Sequence, residues 1–148
     1  MTRRSAASRI GFVLLLAPIL IGGCGGANGS PGADAPVIVT FEVVDERYKV
    51  LLTEPADIDI ARRLLAGEDV QCGEADEESS CNIPNGRIVR ETGVNDGYSW
   101  SIDPNDFEFA DLTIEVCDGL PSDVEMGILT TDRYCPWSAV VLGIEPAS

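Results

Sequence analysis

The residues best suited to chemistry in this 148-residue chain are its carboxylates. The chain has 25 Asp and Glu residues, a single Lys and no His, which excludes Ser-His-Asp and Cys-His catalysis and His-ligated zinc. Glu115 and Asp118 flank a cysteine at the end of a candidate strand, and such a pair could act as acid and base on a glycoside. With so many acids, a pair like this also arises by chance. We therefore expect no catalytic residue, and a small carboxylate-dependent hydrolase is the alternative.

Calcium binding is the second chemistry that dense carboxylates allow. Two acidic groups supply hard oxygen ligands: Asp96, Asp103, Asn105, Asp106, Glu108 and Asp111 in a turn-rich region, and Glu74, Asp76, Glu77 and Glu78 in a loop. Calcium takes about 6–8 such oxygens, but neither group has the alternating register of an EF-hand loop. The sequence predicts no metal site and no cofactor, and a calcium-dependent adhesion module is a further alternative.

Aromatic residues could form a ligand face. Tyr98, Trp100, Tyr134 and Trp137 are the best candidates, and Tyr98 and Trp100 would point to the same side of a strand. Packing in the core of a small domain explains them more economically. The candidate binding residues are Tyr98, Trp100, Asp103, Glu115 and Asp118.

Four cysteines lie in the C-terminal two thirds of the chain, and three pairings are possible. The gaps between Cys72, Cys81, Cys117 and Cys135 are too long for the paired short spacings of zinc sites. In an exported chain such cysteines are expected to form disulfides. Cys72 and Cys81 lie in one irregular segment, whereas Cys117 ends one strand candidate and Cys135 begins another. We expect Cys72–Cys81 and Cys117–Cys135.

The N-terminal residues have the pattern of an export signal. Arg3, Arg4 and Arg9 precede a charge-free apolar run over residues 10–23, which is shorter than the roughly 20 residues that a spanning helix needs. Residues 21–24, Ile-Gly-Gly-Cys, resemble a bacterial lipobox. We predict a lipoprotein signal peptide at residues 1–23, lipidation of Cys24 and a flexible tether at residues 24–36. An ordinary secretory signal is the alternative.

Charge limits the partners of the mature protein. Loss of three arginines with the signal peptide changes the formal charge from −15 to about −18, which repels nucleic acid and anionic lipid. We expect no nucleic acid partner, contact with the membrane only through the lipid anchor, and an envelope protein, a glycan or a cation as the ligand. The expected location is the extracytoplasmic surface of a cell-envelope membrane, the outer one in a Gram-negative cell.

The domain at residues 37–148 has the pattern of an α+β fold. Strands are expected at 36–44, 48–53, 87–91 and 98–102, the first two as an antiparallel hairpin. A turn and a strand follow over 107–116, and a buried strand over 137–144. A main helix is predicted at 54–67, an irregular acidic loop at 68–86 and a short second helix at 121–125. The prediction is about six strands in one small antiparallel or mixed sheet, with two disulfides.

Three sequence blocks resemble a known family. They are NDGYSWSIDP at 95–104, EVCDGLPSDVE at 115–125 and CPWS at 135–138. Together they are similar to the N-terminal domain of "binding protein seventy-four", a family of small exported domains, over roughly residues 37–144. The resemblance implies a single domain and supports the Cys117–Cys135 bridge, but it supplies no reaction. Ser101 stands where members often have His, so no ion or proton role carries over. We predict a lipid-anchored extracytoplasmic binding or surface-interaction module.

Overall fold

The computed structural model describes residues 35–71 and 79–148. In chain order the elements are β1 (Val37–Val43), β2 (Glu46–Leu52), α1 (Pro55–Leu65), β3 (Ile83–Val89), β4 (Ser101–Ala110), a 3-10 helix (Glu115–Cys117), α2 (Pro121–Glu125), β5 (Arg133–Tyr134) and β6 (Ala139–Pro146). The predicted α+β class, the six strands and the two helices are confirmed. The strands form two antiparallel sheets, β2-β1-β6 and β4-β3-β5, rather than one.

The first hairpin is confirmed, with a shorter turn than expected. The pairing of β1 with β2 continues to Val43 opposite Glu46, which leaves only Val44 and Asp45 in the turn. Val44 has a φ of 60°, a left-handed conformation that is unfavourable for a β-branched side chain. The turn therefore stores backbone strain at an exposed residue.

Aromatic side chains fill the space between the two sheets. Phe41 of β1 stacks on Tyr48 of β2 with ring centroids 5.3 Å apart, and it lies 6.1 Å from Phe109 of β4. Tyr48 in turn contacts Trp100 at 5.9 Å and Tyr134 at 5.2 Å. These contacts join the sheets through one core and confirm the expected core positions of Trp100 and Tyr134.

Helix α1 packs against β4 and β6 and confirms the predicted main helix. Pro55 occupies the first turn, where its missing N–H costs nothing, and Ile58 and Ala61 are buried at helical spacing. Among the described residues, no helix is long and apolar enough to cross a membrane.

Two predicted strand boundaries in the second sheet are wrong. Strand β3 begins at Ile83, inside the expected irregular loop. Strand β4 runs without interruption over Ser101–Ala110, whereas the expected strand ended at 102 and a turn was expected from 107. The polar residues in the first half of β4 pair with neighbouring strands on the exposed face of the sheet. The alternation of apolar residues therefore does not reveal this part of the strand. Gly86 is required where the register shifts, since a Cβ there would collide with the side chain of Ile102.

The predictions for the C-terminal region also need correction. The expected strand ending at Val116 is absent, because residues 111–114 are irregular and a 3-10 helix follows. The last strand is β6, but it is an edge strand with several exposed side chains rather than a buried strand. The short helix at 121–125 is confirmed.

One disulfide is described in full. Cys117 and Cys135 are bridged with their Cα atoms 5.1 Å apart, as predicted. Cys81 is also disulfide-bonded, but Cys72 lies outside the described residues, so the Cys72–Cys81 pairing stays a prediction. Cys24 and the acidic residues at 74–78 lie outside the described residues as well.

Candidate functional site

The segment between β3 and β4 is built around one buried amide. Asn95 is fully buried, and its Oδ1 accepts the backbone N–H of Lys49 at 2.9 Å. Its Nδ2 donates to the carbonyl of Trp100 at 3.0 Å. These two bonds attach the segment to the outer edge of β2 and place Trp100 in the core.

Two of the candidate binding residues belong to this segment. Tyr98 and Trp100 lie just before β4 rather than within a strand, although their rings still meet at 5.5 Å. Trp100 is fully buried, so its ring is not accessible to a ligand in this structure. Tyr98 is half-buried and donates its hydroxyl to Glu46 at 3.4 Å; burial first, and then this carboxylate, raise its pKa.

Two carboxylates, one in β2 and one at the end of α2, bind backbone and hydroxyl groups of neighbouring segments. Glu46 accepts the backbone N–H of Ser122 at 2.8 Å and its hydroxyl at 2.7 Å, which fixes the start of α2 to β2. Glu125 at the end of α2 accepts the N–H and hydroxyl of Ser99 at 2.9 and 3.0 Å. The first two sequence blocks of the resemblance therefore meet in space and stabilise each other.

The acidic residues of β4 face two arginines. Asp103 accepts from Arg87 and from the backbone N–H of Asn105; the latter bond comes first among the causes that lower its pKa. Asp106 accepts from Arg133 at 3.0 Å and lies 3.4 Å from Arg87. Within the part of the chain that the structure describes, no cluster of Cys, Asp or Glu has the arrangement of a metal site. Asp103 also lines an open pocket of about 370 Å³.

The predicted carboxylate pair lies beside the Cys117–Cys135 bridge. Glu115 begins the 3-10 helix and is exposed. Asp118 is half-buried, and its Oδ1 accepts the backbone N–H of Trp137 at 2.9 Å. One oxygen of the pair thus already has a structural partner.

Sequence reasoning missed the exposure of four apolar residues on the two chain segments that this bridge joins. Trp137, expected in the core, is 47% exposed, while Leu112, Ile114 and Val116 are 82%, 68% and 53% exposed. We name these four residues the Trp137 patch. Large exposed apolar surfaces on small domains mark interaction sites. The signal in the sequence was the loss of clean alternation over residues 107–116 just before a half-cystine.

The Trp137 patch is held firmly. The indole N–H of Trp137 donates to the hydroxyl of Thr113 at 2.6 Å, and its backbone N–H donates to Asp118. The backbone N–H of Cys135 donates to the carbonyl of Cys117 at 2.8 Å, alongside the disulfide. The two chain segments that carry the patch are therefore joined at four points.

The patch lies toward one end of the first sheet. Ala139, two residues after Trp137, pairs with Val43 at the end of β1, whereas Val37 at the start of β1 pairs with Pro146. A strand of seven residues is about 20 Å long. The chain from the N-terminus enters at Ala35, at the other end of this sheet.

Comparison with known proteins gives a family. The family model for the N-terminal domain of binding protein seventy-four matches residues 35–148, which confirms the resemblance of the motif blocks. No curated protein and no solved structure matches significantly. Since the match covers the whole domain, the chain belongs to the binding protein seventy-four N-terminal domain family.

Proposed function

We propose that the protein is a lipid-anchored extracytoplasmic binding module and that the Trp137 patch is its ligand-binding face. The observation that carries the proposal is a set of large apolar side chains that are exposed on two chain segments fixed to each other. Burial of such side chains in an interface gains free energy from the hydrophobic effect. Because the patch is already ordered by the bridge and the bonds of Trp137, binding costs little additional conformational entropy.

The anchor supports an outward-facing role. In the proposal, Cys24 carries the lipid and residues 24–36 connect it to β1. The domain is entered at the end of the first sheet that lies far from the patch. A ligand in the extracytoplasmic space can then reach the patch while the lipid stays in the membrane.

The geometry at the carboxylate pair favours binding over catalysis. A general acid or base must be free to exchange a proton with a substrate. Asp118 instead accepts a hydrogen bond from Trp137 and helps to hold the patch. Glu115 lies on the exposed surface of the same region, where it can contact a ligand.

The anchor is tested by mass spectrometry of the native protein. We expect a mature N-terminal peptide that starts at Cys24 with acyl chains on the cysteine. Replacement of Cys24 by Ser should abolish this modification. An unmodified mature protein released from cells contradicts the anchor.

The binding face is tested by placing a photo-crosslinking amino acid at Ile114 in intact cells. Leu65 provides a matched control, because it is also an exposed apolar residue but lies near the N-terminal entry of the domain. We expect discrete adducts from position 114 that Trp137→Ala removes, and none from position 65. Equal adducts from both positions contradict a specific binding face.

A further inference from the structure

We propose that the Trp137 patch binds a cationic amphipathic segment of a partner protein. This inference rests on the proposed function, in which the patch is the ligand-binding face. It adds the chemistry of the ligand: apolar side chains that pack on the patch, and Lys or Arg side chains that meet the acids around it.

The chain segment that carries three of the four patch residues is acidic. Residues 107–132 contain no Lys or Arg and carry seven acids: Glu108, Asp111, Glu115, Asp118, Asp123, Glu125 and Asp132. Asp111 and Glu115 alternate with the apolar residues of the patch along the chain and are exposed. The patch is thus apolar side chains interleaved with carboxylates.

Three arginines outside this stretch have bonding partners of their own. Arg87 and Arg133 pair with acids of β4, and Arg90 donates to the carbonyl of Val124 at 3.0 Å. Within the described residues, neither Asp111 nor Glu115 takes part in an ion pair. Their charge therefore favours an incoming cation, and complementary charge both steers association and selects the partner.

Other ligand classes fit the patch less well. A second copy of the chain docked through the same face would bring like charges together, because a twofold interface uses the same surface on both copies. An anionic bilayer is repelled for the same reason. A glycan could stack on Trp137, but the aliphatic side chains of Leu112, Ile114 and Val116 offer no hydrogen bonds to its hydroxyl groups.

The test uses the native lipoprotein in nanodiscs of zwitterionic lipid. Two amphipathic peptides of about 18 residues serve as probes, one of Leu and Lys and one of Leu and Glu; neither contains Trp. Trp137 reports on binding through its fluorescence, since the other tryptophan, Trp100, is buried. Empty nanodiscs and nanodiscs with the Trp137→Phe variant serve as controls, because they measure the signal from peptide that binds to lipid.

We expect the Lys peptide to bind with an affinity that falls as salt is added, and the Glu peptide not to bind. The double variant Asp111→Asn, Glu115→Gln should weaken binding about tenfold. The matched control Glu54→Gln, Asp59→Asn removes the same charge from α1 and the residue before it, and it should change the affinity less than about twofold. Unchanged melting temperatures establish that both variants fold.

The outcomes separate the two proposals. Equal binding of both peptides, or an unchanged affinity of the Asp111 and Glu115 variant, overturns the cationic ligand but leaves the patch as a binding face. Failure of the Lys peptide to bind, together with adducts at Ile114 in cells, likewise overturns only the cationic ligand. If the otherwise wild-type protein gives no adducts from position 114 in cells, the binding face itself is contradicted.

Discussion

Replacement of Asn95 by Ala should destabilise the domain severely. The side chain is fully buried and satisfies the backbone N–H of Lys49 and the carbonyl of Trp100. An Ala there leaves both backbone groups without that partner, and each buried group left unpaired costs about 1–3 kcal/mol. We expect a loss of about 3 kcal/mol, a large part of the roughly 5–15 kcal/mol by which domains are stable.

Urea unfolding followed by circular dichroism, with the disulfides intact, measures this loss. The matched control is Asn105→Ala, because Asn105 is exposed and, among the described residues, its side chain bonds to Asp103 two residues away. That change should cost less than about 0.5 kcal/mol. A loss below about 1 kcal/mol for Asn95→Ala would show that water or a shift of the segment satisfies both groups, and the account of the segment would be wrong.

The Asn95→Asp variant separates the two hydrogen bonds. A carboxylate can still accept the N–H of Lys49, but it cannot donate to the carbonyl of Trp100 and repels its oxygen. When protonated, the carboxyl group regains a donor. The stability deficit of this variant relative to the wild type should therefore shrink as the pH falls, and a deficit that is constant with pH excludes the donor role.

Three further measurements test other parts of the structure. Val44→Gly should raise the free energy of unfolding by about 1 kcal/mol, because glycine tolerates the positive φ at this position. The control Val140→Gly in β6 should lower the free energy of unfolding. If Val44→Gly gives no gain, the turn is not strained. Burial raises the pKa of Asp57 despite a bond from the backbone of Phe109. The protonated carboxyl group of Asp57 therefore stabilises the fold at acid pH, and this contribution is lost as the pH rises through the folded-state pKa. Asp57→Asn should therefore raise the melting temperature at neutral pH more than Asp59→Asn does, and the advantage should vanish below about pH 4. Millimolar calcium should shift the melting temperature by less than about 2 °C, and a large rise supports the adhesion alternative.

The parts of the fold that the sequence predicted are those with a strong local pattern. Alternating apolar residues in β1 and β2 and the spacing of Ile58 and Ala61 in α1 reveal which side is buried. Pro55 and Pro121 mark the starts of the two helices. In these elements one face packs on the core, so the pattern of burial and the pattern of the sequence coincide.

The second sheet was harder to predict because its pairing depends on distant residues. Asp106, inside β4, looks like part of a turn until it meets Arg133, which lies 27 residues away in the sequence. The division into two sheets likewise follows from contacts between Phe41, Phe107 and Phe109 that no local pattern contains. Exposure of Leu112 and Ile114 is not local either, because the disulfide and Trp137 hold that segment at the surface.

The candidate binding residues all lie within the blocks of the family motif, and most of the motif proves to be structural. Asn95, Trp100 and Glu125 form or support the core and the joint between the sequence blocks. A motif defined by such residues identifies the family without identifying the ligand. Among the aromatic residues of these blocks, Trp137 combines wide exposure with a fixed position. It is therefore the residue at which a search for the ligand should begin.

The Cys117–Cys135 disulfide links the stability of the domain to the proposed binding of a ligand. The bridge between Cys117 and Cys135 orders the two segments that carry the patch, and Asp118 adds a bond between them. Such a bridge persists in an oxidising compartment, where an exported domain is found. In the cytoplasm the thiols would stay reduced and the patch would lose its covalent support. The architecture of the patch is thus consistent with the proposed extracytoplasmic role, because the disulfide that orders the proposed binding face would persist in an oxidising compartment.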